Sequence, residues 1–391
     1  MKSVLFIMRY YIGGRHDSLQ SKFKGQMKAV ESLGYNVWFT GIAENAVYLC
    51  NADNRIKIGE LNQRDNSFFS KIKFYATYYR SLINALEKNG IDFNIAYIRN
   101  LFFTNNSIKL LKTLKKNNVK IVMEIPSYPI KDEIKRYDSI LLKSILYASY
   151  NLMKLHSKYV DLYAVIGECF GNVFFGRKAI RIINGVDINI LPFRLPEPKD
   201  AENDEMHLLA VASMSYWHGY DRLIKGLFDY YRENKKEKIY IHLVGGGGDG
   251  SLDKWKKLAE DLKLNDHVIF EGYLTGDMLD RMFDISNVAV SSLAGYRKNL
   301  FSSAELKSRE YMARGIPFVY ATDDKILELV PEYCLRVENN SSNIDFNQVI
   351  DFIKRTRKDP SITDKMRAYA ETSMSWVTQL RKVFVNIDET L

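Results

Sequence analysis

The chain has 391 residues, 46% of them hydrophobic and 26% charged, with only 8 prolines; that is apolar material for two or three full-sized cores, and it excludes a largely disordered chain. Its 3 cysteines, Cys50, Cys169 and Cys334, share no local spacing, which excludes a disulfide framework or a zinc site and fits a reducing compartment. The formal charge of +9 suits nucleic acid, anionic lipid, a phosphorylated substrate or plain solubility, and chooses none of them.

The opening MKSVLFIMRYY is too short in its apolar part for a signal peptide and predicts a buried first strand over residues 4–8. A loop with Gly13 and Gly14 follows, then a helix over 19–33 closed by Gly34. Apolar runs at 35–40, 93–98, 120–125, 162–166 and 181–183 alternate with helical stretches, which predicts a parallel sheet with helices on both faces. Between 131 and 160, Ile134, Tyr137, Leu141, Ile145, Ala148, Leu152, Leu155 and Tyr159 recur at helical spacing among lysines. That single long stripe either packs on the sheet or touches a membrane. The polar stretch 191–205 reads as an interdomain linker. Strands restart at 207–212, 239–244, 267–270, 288–291 and 318–321. Two doubly wound α/β units result, with a ligand cleft expected between the carboxyl ends of their strands. No apolar run is long enough to span a bilayer.

Gly245 to Gly250, GGGGDG, lies between a strand and a helix. It fits the dinucleotide pattern in letters, yet it sits on the second strand–helix unit of its domain rather than the first. Gly245 and Gly246 read either as backbone able to approach a phosphate or sugar, or as a turn. His218 and Arg222, in SYWHGYDR after the second domain's first strand, either face an anion or serve the structure.

The richest stretch is 291–317. Arg297 and Lys298 lie in a loop, Ser302 and Ser303 are candidate caps of a helix running to about Ala313, and Lys307 joins the two cations at its start. A helix N-terminus beside such cations is an anion site. Glu310, further along, is suited to ribose hydroxyls. Glu124, at a strand end of the first domain, is either an acceptor contact or a surface carboxylate. HExxH, Cys–His, GxSxG and Walker patterns are absent, as is the basic–aromatic interleaving of a single-strand binder.

The run Glu310-Tyr311-Met312-Ala313-Arg314-Gly315-Ile316-Pro317 resembles the end of the E-x7-E signature of GT-B, GT4-type retaining glycosyltransferases. Arg297, Lys298 and Leu306-Lys307-Ser308-Arg309-Glu310-Tyr311 resemble a subgroup with R-K followed by L-K-x-R-E-Y-x-A-R-G-x-P. Gly13-Gly14, Asn184-Gly185-Val186-Asp187, His218-Gly219, Gly245 to Gly247 and Phe270-Glu271-Gly272 are similar to further family landmarks, in order. The chain departs from the family at Ser302, in place of the first glutamate. It departs again at Ser213 and His218, in place of the arginine and lysine that hold diphosphate, and at Glu305, in place of a proline.

The resemblance implies an α/β GT-B fold, two doubly wound Rossmann-like domains facing each other across a cleft. Residues 1–190 would bind the acceptor, 191–370 the nucleotide sugar, and 371–391 would form a helix crossing back to the first domain. It implies transfer from a nucleotide diphosphate sugar, a UDP-sugar foremost, with retention, no cofactor and no metal. Lys298, Lys307 and Glu310 would be catalytic. Gly13, Gly14, His218, Arg222, Gly245, Gly246, Arg297, Leu306 and Glu310 would bind the donor, and Glu124 the acceptor. The expected setting is bacterial polysaccharide assembly on a glycan or lipid-linked acceptor. That places the protein in the cytoplasm at the inner face of an anionic membrane, without nucleic acid. The competing readings are a GT-B-like sugar-nucleotide epimerase and, given the missing glutamate, a sugar-nucleotide-binding module.

Overall fold

The computed structural model describes residues 1–13, 18–61, 68–88, 92–99, 102–135, 137–167, 172–195, 205–233 and 237–388. They form two compact units: Met1–Asp187 with Ser375–Leu391, and Ile188–Met374. The chain therefore passes from one unit to the other twice.

The first unit contains β1 (Ser3–Tyr11), β2 (Asn36–Ala43), β3 (Ala46–Cys50), β4 (Arg55–Glu60), β5 (Ile95–Arg99), β6 (Lys120–Ile125), β7 (Leu162–Ile166), β8 (Val173–Phe174) and β9 (Arg177–Ile182). Their order is β4-β3-β2-β1-β5-β6-β7-β9-β8. The run from β2 through β1, β5, β6 and β7 to β9 is parallel, with antiparallel β3–β4 and β8 at its edges.

A parallel sheet must be covered on both faces, so its strands are apolar at successive positions rather than alternate ones. Val4, Leu5, Phe6 and Ile7 of β1 are all fully buried. Leu5 and Ile7 enter one core with the helix Phe68–Lys88 and its neighbours, while Val4 and Phe6 enter the other. The second core is completed by Trp376, Leu380, Val383 and Phe384 of the helix Trp376–Asp388. That helix belongs to the first unit because its apolar side fills this face.

The second unit holds β10 (Met206–Val211), β11 (Ile239–Val244), β12 (Val268–Gly272), β13 (Val288–Val290), β14 (Phe318–Tyr320) and β15 (Cys334–Arg336). All pair in parallel in the order β12-β11-β10-β13-β14-β15. The order reverses between β10 and β13, which makes a crevice at their carboxyl ends the expected ligand position within this unit.

Four features differ from the sequence expectation. Residues 191–195 belong to the second unit, where Arg194 is buried and donates its N–H to the Arg314 carbonyl at 3.0 Å. The expected linker therefore shrinks, and its remainder at 196–204 lies outside the described residues. The single helical stretch at 131–160 is two helices, Ile130–Lys135 and Ile140–Leu155, then a 3-10 turn at Ser157–Tyr159. Ser139 restarts the helix as its cap, accepting the Leu142 N–H at 3.3 Å. Ser302 and Ser303 do not cap the later helix, because they pair instead with Asp323, and the helix begins at Leu306 with Glu305 at the cap position. The β3–β4 hairpin and β15 are strands that the apolar runs did not mark. No helix among the described residues is long and apolar enough to cross a membrane.

Gly226, inside the helix Tyr220–Arg232, lies where an added Cβ would collide with the main-chain oxygen of Ile344. Helix propensity alone favours alanine there by about 1 kcal/mol. The collision is with backbone and costs about 1–3 kcal/mol. Gly226→Ala should therefore lower the thermal midpoint; a raised midpoint would show that the segment at Ile344 yields freely.

Candidate functional site

At the carboxyl ends of β10, β11 and β13, three loops of the second unit converge with one helix start. The first loop carries a 3-10 turn, Tyr216–His218, closed by Gly219 at φ 70°. A Cβ on Gly219 would lie 2.6 Å from the Ala294 Cβ, so this loop can pack on the 293–294 segment only with glycine here. The second loop is glycine-rich. Asp249 at its end accepts the Ser251 N–H and the Tyr216 N–H, both at 3.0 Å, and so fastens it to the first. The third contains Arg297 and Lys298 in a short 3-10 turn.

His218 is buried, and its Nδ1 accepts the Ser215 N–H at 3.0 Å. Burial first, then the nearby Lys307 and Lys298 cations, push its pKa down to about 2. The imidazole is therefore neutral near pH 7, with its proton on Nε2. The Lys298 ammonium sits 2.8 Å from the centroid of the Trp217 ring. Lys307 lies in the first turn of the helix Leu306–Arg314. The side chain is partly exposed, but its ammonium nitrogen is buried and has no hydrogen-bond partner. Burial pulls its pKa down to about 8, with Glu305 acting against the shift. The Glu305 carboxylate is turned back onto Ser291 Oγ at 3.0 Å.

The two arginines proposed for this site have other work. Arg297 makes a bidentate pair with Asp221, at 2.8 and 2.7 Å, and also donates to the Tyr216 carbonyl at 2.6 Å. The Asp221 carboxylate raises its pKa further, against the effect of burial. Arg222 is buried and donates to the carbonyls of Ser342, Leu293 and Glu338. It joins three chain segments as a structural staple, since only a planar five-donor fork can satisfy them together. The expected cationic role of Arg222 and Arg297 at the diphosphate is thereby corrected. The sequence shows the charges, and the tertiary contacts show that both are spent.

Glu310, on the same helix, accepts from Arg314 Nε at 3.1 Å and remains partly exposed; Leu306 is partly exposed as well. Gly245 fits tightly beneath the Ala212 carbonyl, where a Cβ would collide, whereas Gly246 has open space around it. Of the two, Gly246 has its backbone free to approach a ligand. Gly13 is exposed in the first unit, and Gly14 lies outside the described residues.

Glu124 in the first unit is fully buried. It meets Lys22 at 3.2 Å and Arg99 at 3.1 Å, and accepts from Gln26 at 2.6 Å and Tyr97 at 2.7 Å. Burial pushes its carboxyl up, but Lys22, Arg99 and the hydrogen bonds overcome that and hold it below the usual range. Burial pulls Lys22 in turn down to about 8. Glu124 is thus the centre of a packed charge cluster, a buried carboxylate and not the surface one of the alternative reading. The sequence did not single out Lys22, Arg99, Asp221 or Asp249. Only the aspartate just before the helix start at Ser251 carried a local signal, that of a cap. Among the described residues no group of three or more histidines, cysteines and acidic side chains is placed to hold a metal.

Residues 194–371 match the profile of the family described as "Glycosyl transferases group 1". No curated protein sequence matches the chain. Among solved structures, the chain is similar to sucrose-phosphate synthase from Thermosynechococcus elongatus, with TM-score 0.64, 14% identity and 100% of both chains covered. It is also similar to HepE from Anabaena in complex with UDP, with TM-score 0.61, 14% identity, and 99% of this chain and 100% of that one covered. A third similar structure is WaaG, a glycosyltransferase involved in lipopolysaccharide biosynthesis, with TM-score 0.59, 12% identity, and 98% and 99% covered. The fold is GT-B. Within it, the group 1 match falls on the second unit, the one that gathers His218, Lys298, Lys307 and Glu310.

Arg222→Lys keeps the charge and loses the fork. Each carbonyl left unsatisfied in the interior costs about 1–3 kcal/mol. The variant should melt several degrees lower, while any that remains folded should bind a nucleoside diphosphate as the parent does. A selective loss of nucleotide binding with an unchanged midpoint would restore Arg222 to the site.

Proposed function

We propose that the protein is a glycosyltransferase that moves a sugar from a nucleotide diphosphate sugar to an acceptor. The observation that carries this reading is the buried, unpartnered Lys307 ammonium in the first turn of a helix. Lys298 and a neutral His218 stand beside it, in a region that matches the group 1 glycosyl transferases. A buried cation without a partner is costly, and an arriving anion removes that cost.

Cleaving the anomeric C–O bond leaves a nucleoside diphosphate with new negative charge. Lys307, Lys298, the amides at the start of the helix and the His218 Nε2 proton stabilise it, without a metal or cofactor. Glu310 holds the ribose hydroxyls, its orientation kept by Arg314, and the open backbone at Gly246 borders the donor. Arg297 contributes indirectly by pinning the loop that carries Lys298. Retention at the anomeric carbon belongs to the same reading, as the chain's resemblance to retaining transferases suggests.

A UDP-sugar donor is supported by the similarity to HepE, solved with UDP. A role in bacterial polysaccharide assembly is supported by the similarity to WaaG, named for lipopolysaccharide biosynthesis. The first unit would receive a glycan or lipid-linked acceptor, with the protein in the cytoplasm against the inner face of an anionic membrane.

The test is transfer itself, read with a panel of sugar nucleotides and acceptors. Replacing Lys298 and Lys307 together by alanine should lower kcat on the order of 100-fold, by analogy with lost oxyanion donors. Near-normal turnover would place the diphosphate elsewhere. The pH dependence has a definite sign. Only protonated Lys307 attracts the diphosphate, and its pKa in the free protein is about 8. Affinity for a nucleoside diphosphate should therefore fall as pH rises through 8, by up to about tenfold per unit. Lys307→Met should bind more weakly and lose that pH dependence in calorimetric titration.

A further inference from the structure

The helix Ile140–Leu155, ILLKSILYASYNLMKL, is apolar on more than one side, yet only Met153 is buried among its residues. A helix apolar all round ordinarily lies within a core or a membrane. Ile140, Leu141 and Leu155 are 81%, 66% and 71% exposed. The stripe expected from the sequence holds only in part: Leu141 and Leu155 point to solvent, Leu152 and Tyr159 pack on the core, and Ile134 and Tyr137 join Leu142, Leu146, Tyr150 and Met153 in lining a cavity beneath the helix.

That cavity has a volume of about 430 Å³, inside the range of about 300–1,000 Å³ typical of ligand pockets. Its floor includes Met123 and Ile125 of β6, and Tyr75, Phe102 and Phe103 form an aromatic side. Glu124 borders it too, but its carboxylate is engaged by Lys22 and Arg99. Ser149 Oγ is likewise engaged, accepting the Phe103 N–H at 2.9 Å. Of the charges around the mouth, Glu133 lines it, and Lys135 is paired with Asp132. The Lys131 ammonium lies 5.4 Å from the centroid of the pocket-lining Tyr150 ring. From Ser139 to Tyr159 the sequence carries Lys143, Lys154 and Lys158 and no acidic residue.

We infer that this pocket takes the apolar chain of a phosphate-bearing lipid. The cavity supplies a chain-sized apolar space, the exposed Ile140 and Leu141 rest in the bilayer from which the chain is drawn, and the lysines face the headgroup. The inference rests on the glycosyltransferase reading only in making that lipid the acceptor; the pocket itself stands on its own geometry.

The probe is dodecyl phosphate below its micelle concentration, titrated calorimetrically into the full chain in saturating nucleoside diphosphate, which occupies the anion site at Lys307, with inorganic phosphate as the control. The parent should bind the amphiphile and not the bare phosphate. Leu146→Trp fills the cavity, and Leu142→Gln makes its wall polar without filling it. Each should weaken binding about tenfold or more, the worth of about two buried methylenes. Nucleoside diphosphate binding reports that each variant is folded and should not change. Equal binding of inorganic phosphate, no binding by the parent, or unchanged affinity in a folded variant overturns the proposal. If the amphiphile binds but no sugar is transferred to any acceptor, the pocket stands and the transferase reading fails. Transfer to a chain-free acceptor without amphiphile binding does the reverse.

Discussion

A parallel sheet buried on both faces leaves one place for polar chemistry. Its strands spend their side chains on two cores, as Val4 to Ile7 do in the first unit, and its helices cover the faces. Charged groups are then driven to the carboxyl edge, where strands hand over to loops and helix amides point outward. Both units obey this. The Glu124 cluster lies at the ends of β5 and β6, and the His218, Lys298 and Lys307 group lies at the ends of β10 and β13. In the first unit the charges satisfy one another, and in the second a cation is left over.

Arginine and lysine divide the work in the second unit. Arg222 satisfies three carbonyls, Arg297 grips Asp221, and Arg309 pairs with Asp324 at 2.7 Å inside the core. Arg222 and Arg297 use the planar fork to fix chain segments, whereas Arg309 meets Asp324 as an ion pair through Nη2; burial costs the guanidinium little of its charge. Lysine carries a point charge that burial readily perturbs, and Lys307 is the example. Its ammonium is held out of water without a partner, and its pKa falls to about 8. Lys307 thereby differs from Arg222 and Arg297, whose guanidinium groups are engaged by carbonyls and by Asp221 within the fold.

The helix Ile140–Leu155 breaks the rule that an apolar face is buried against its own sheet. Helical periodicity identifies a helix and an apolar side, but it cannot say how far that side lies from the sheet. Here the gap between helix and β6 is a cavity, lined by Ile134 and Tyr137 of the expected stripe and by Leu142, Leu146, Tyr150 and Met153 outside it.

The sequence by itself determined the fold class and the strands at 120–125, 162–166 and 239–244, and it singled out Lys298, Lys307 and His218, which the fold gathers in the second unit. These are local properties: apolar runs, glycine at turns, a resemblance carried by contiguous residues. The edge hairpin β3–β4 and the sixth strand β15 escaped: β4 and β15 lack a long apolar run, and the apolar run of β3 follows β2 after a tight turn, without the intervening helix that marks the parallel strands. Only the tertiary structure decided which charges are available. Arg297 is bound by Asp221, which lies 76 positions away, Arg222 by carbonyls up to 120 positions away, and Glu124 by a lysine on another element. Charge is written in the sequence, but whether a charge is spent depends on partners that only the folded chain brings within hydrogen-bond distance.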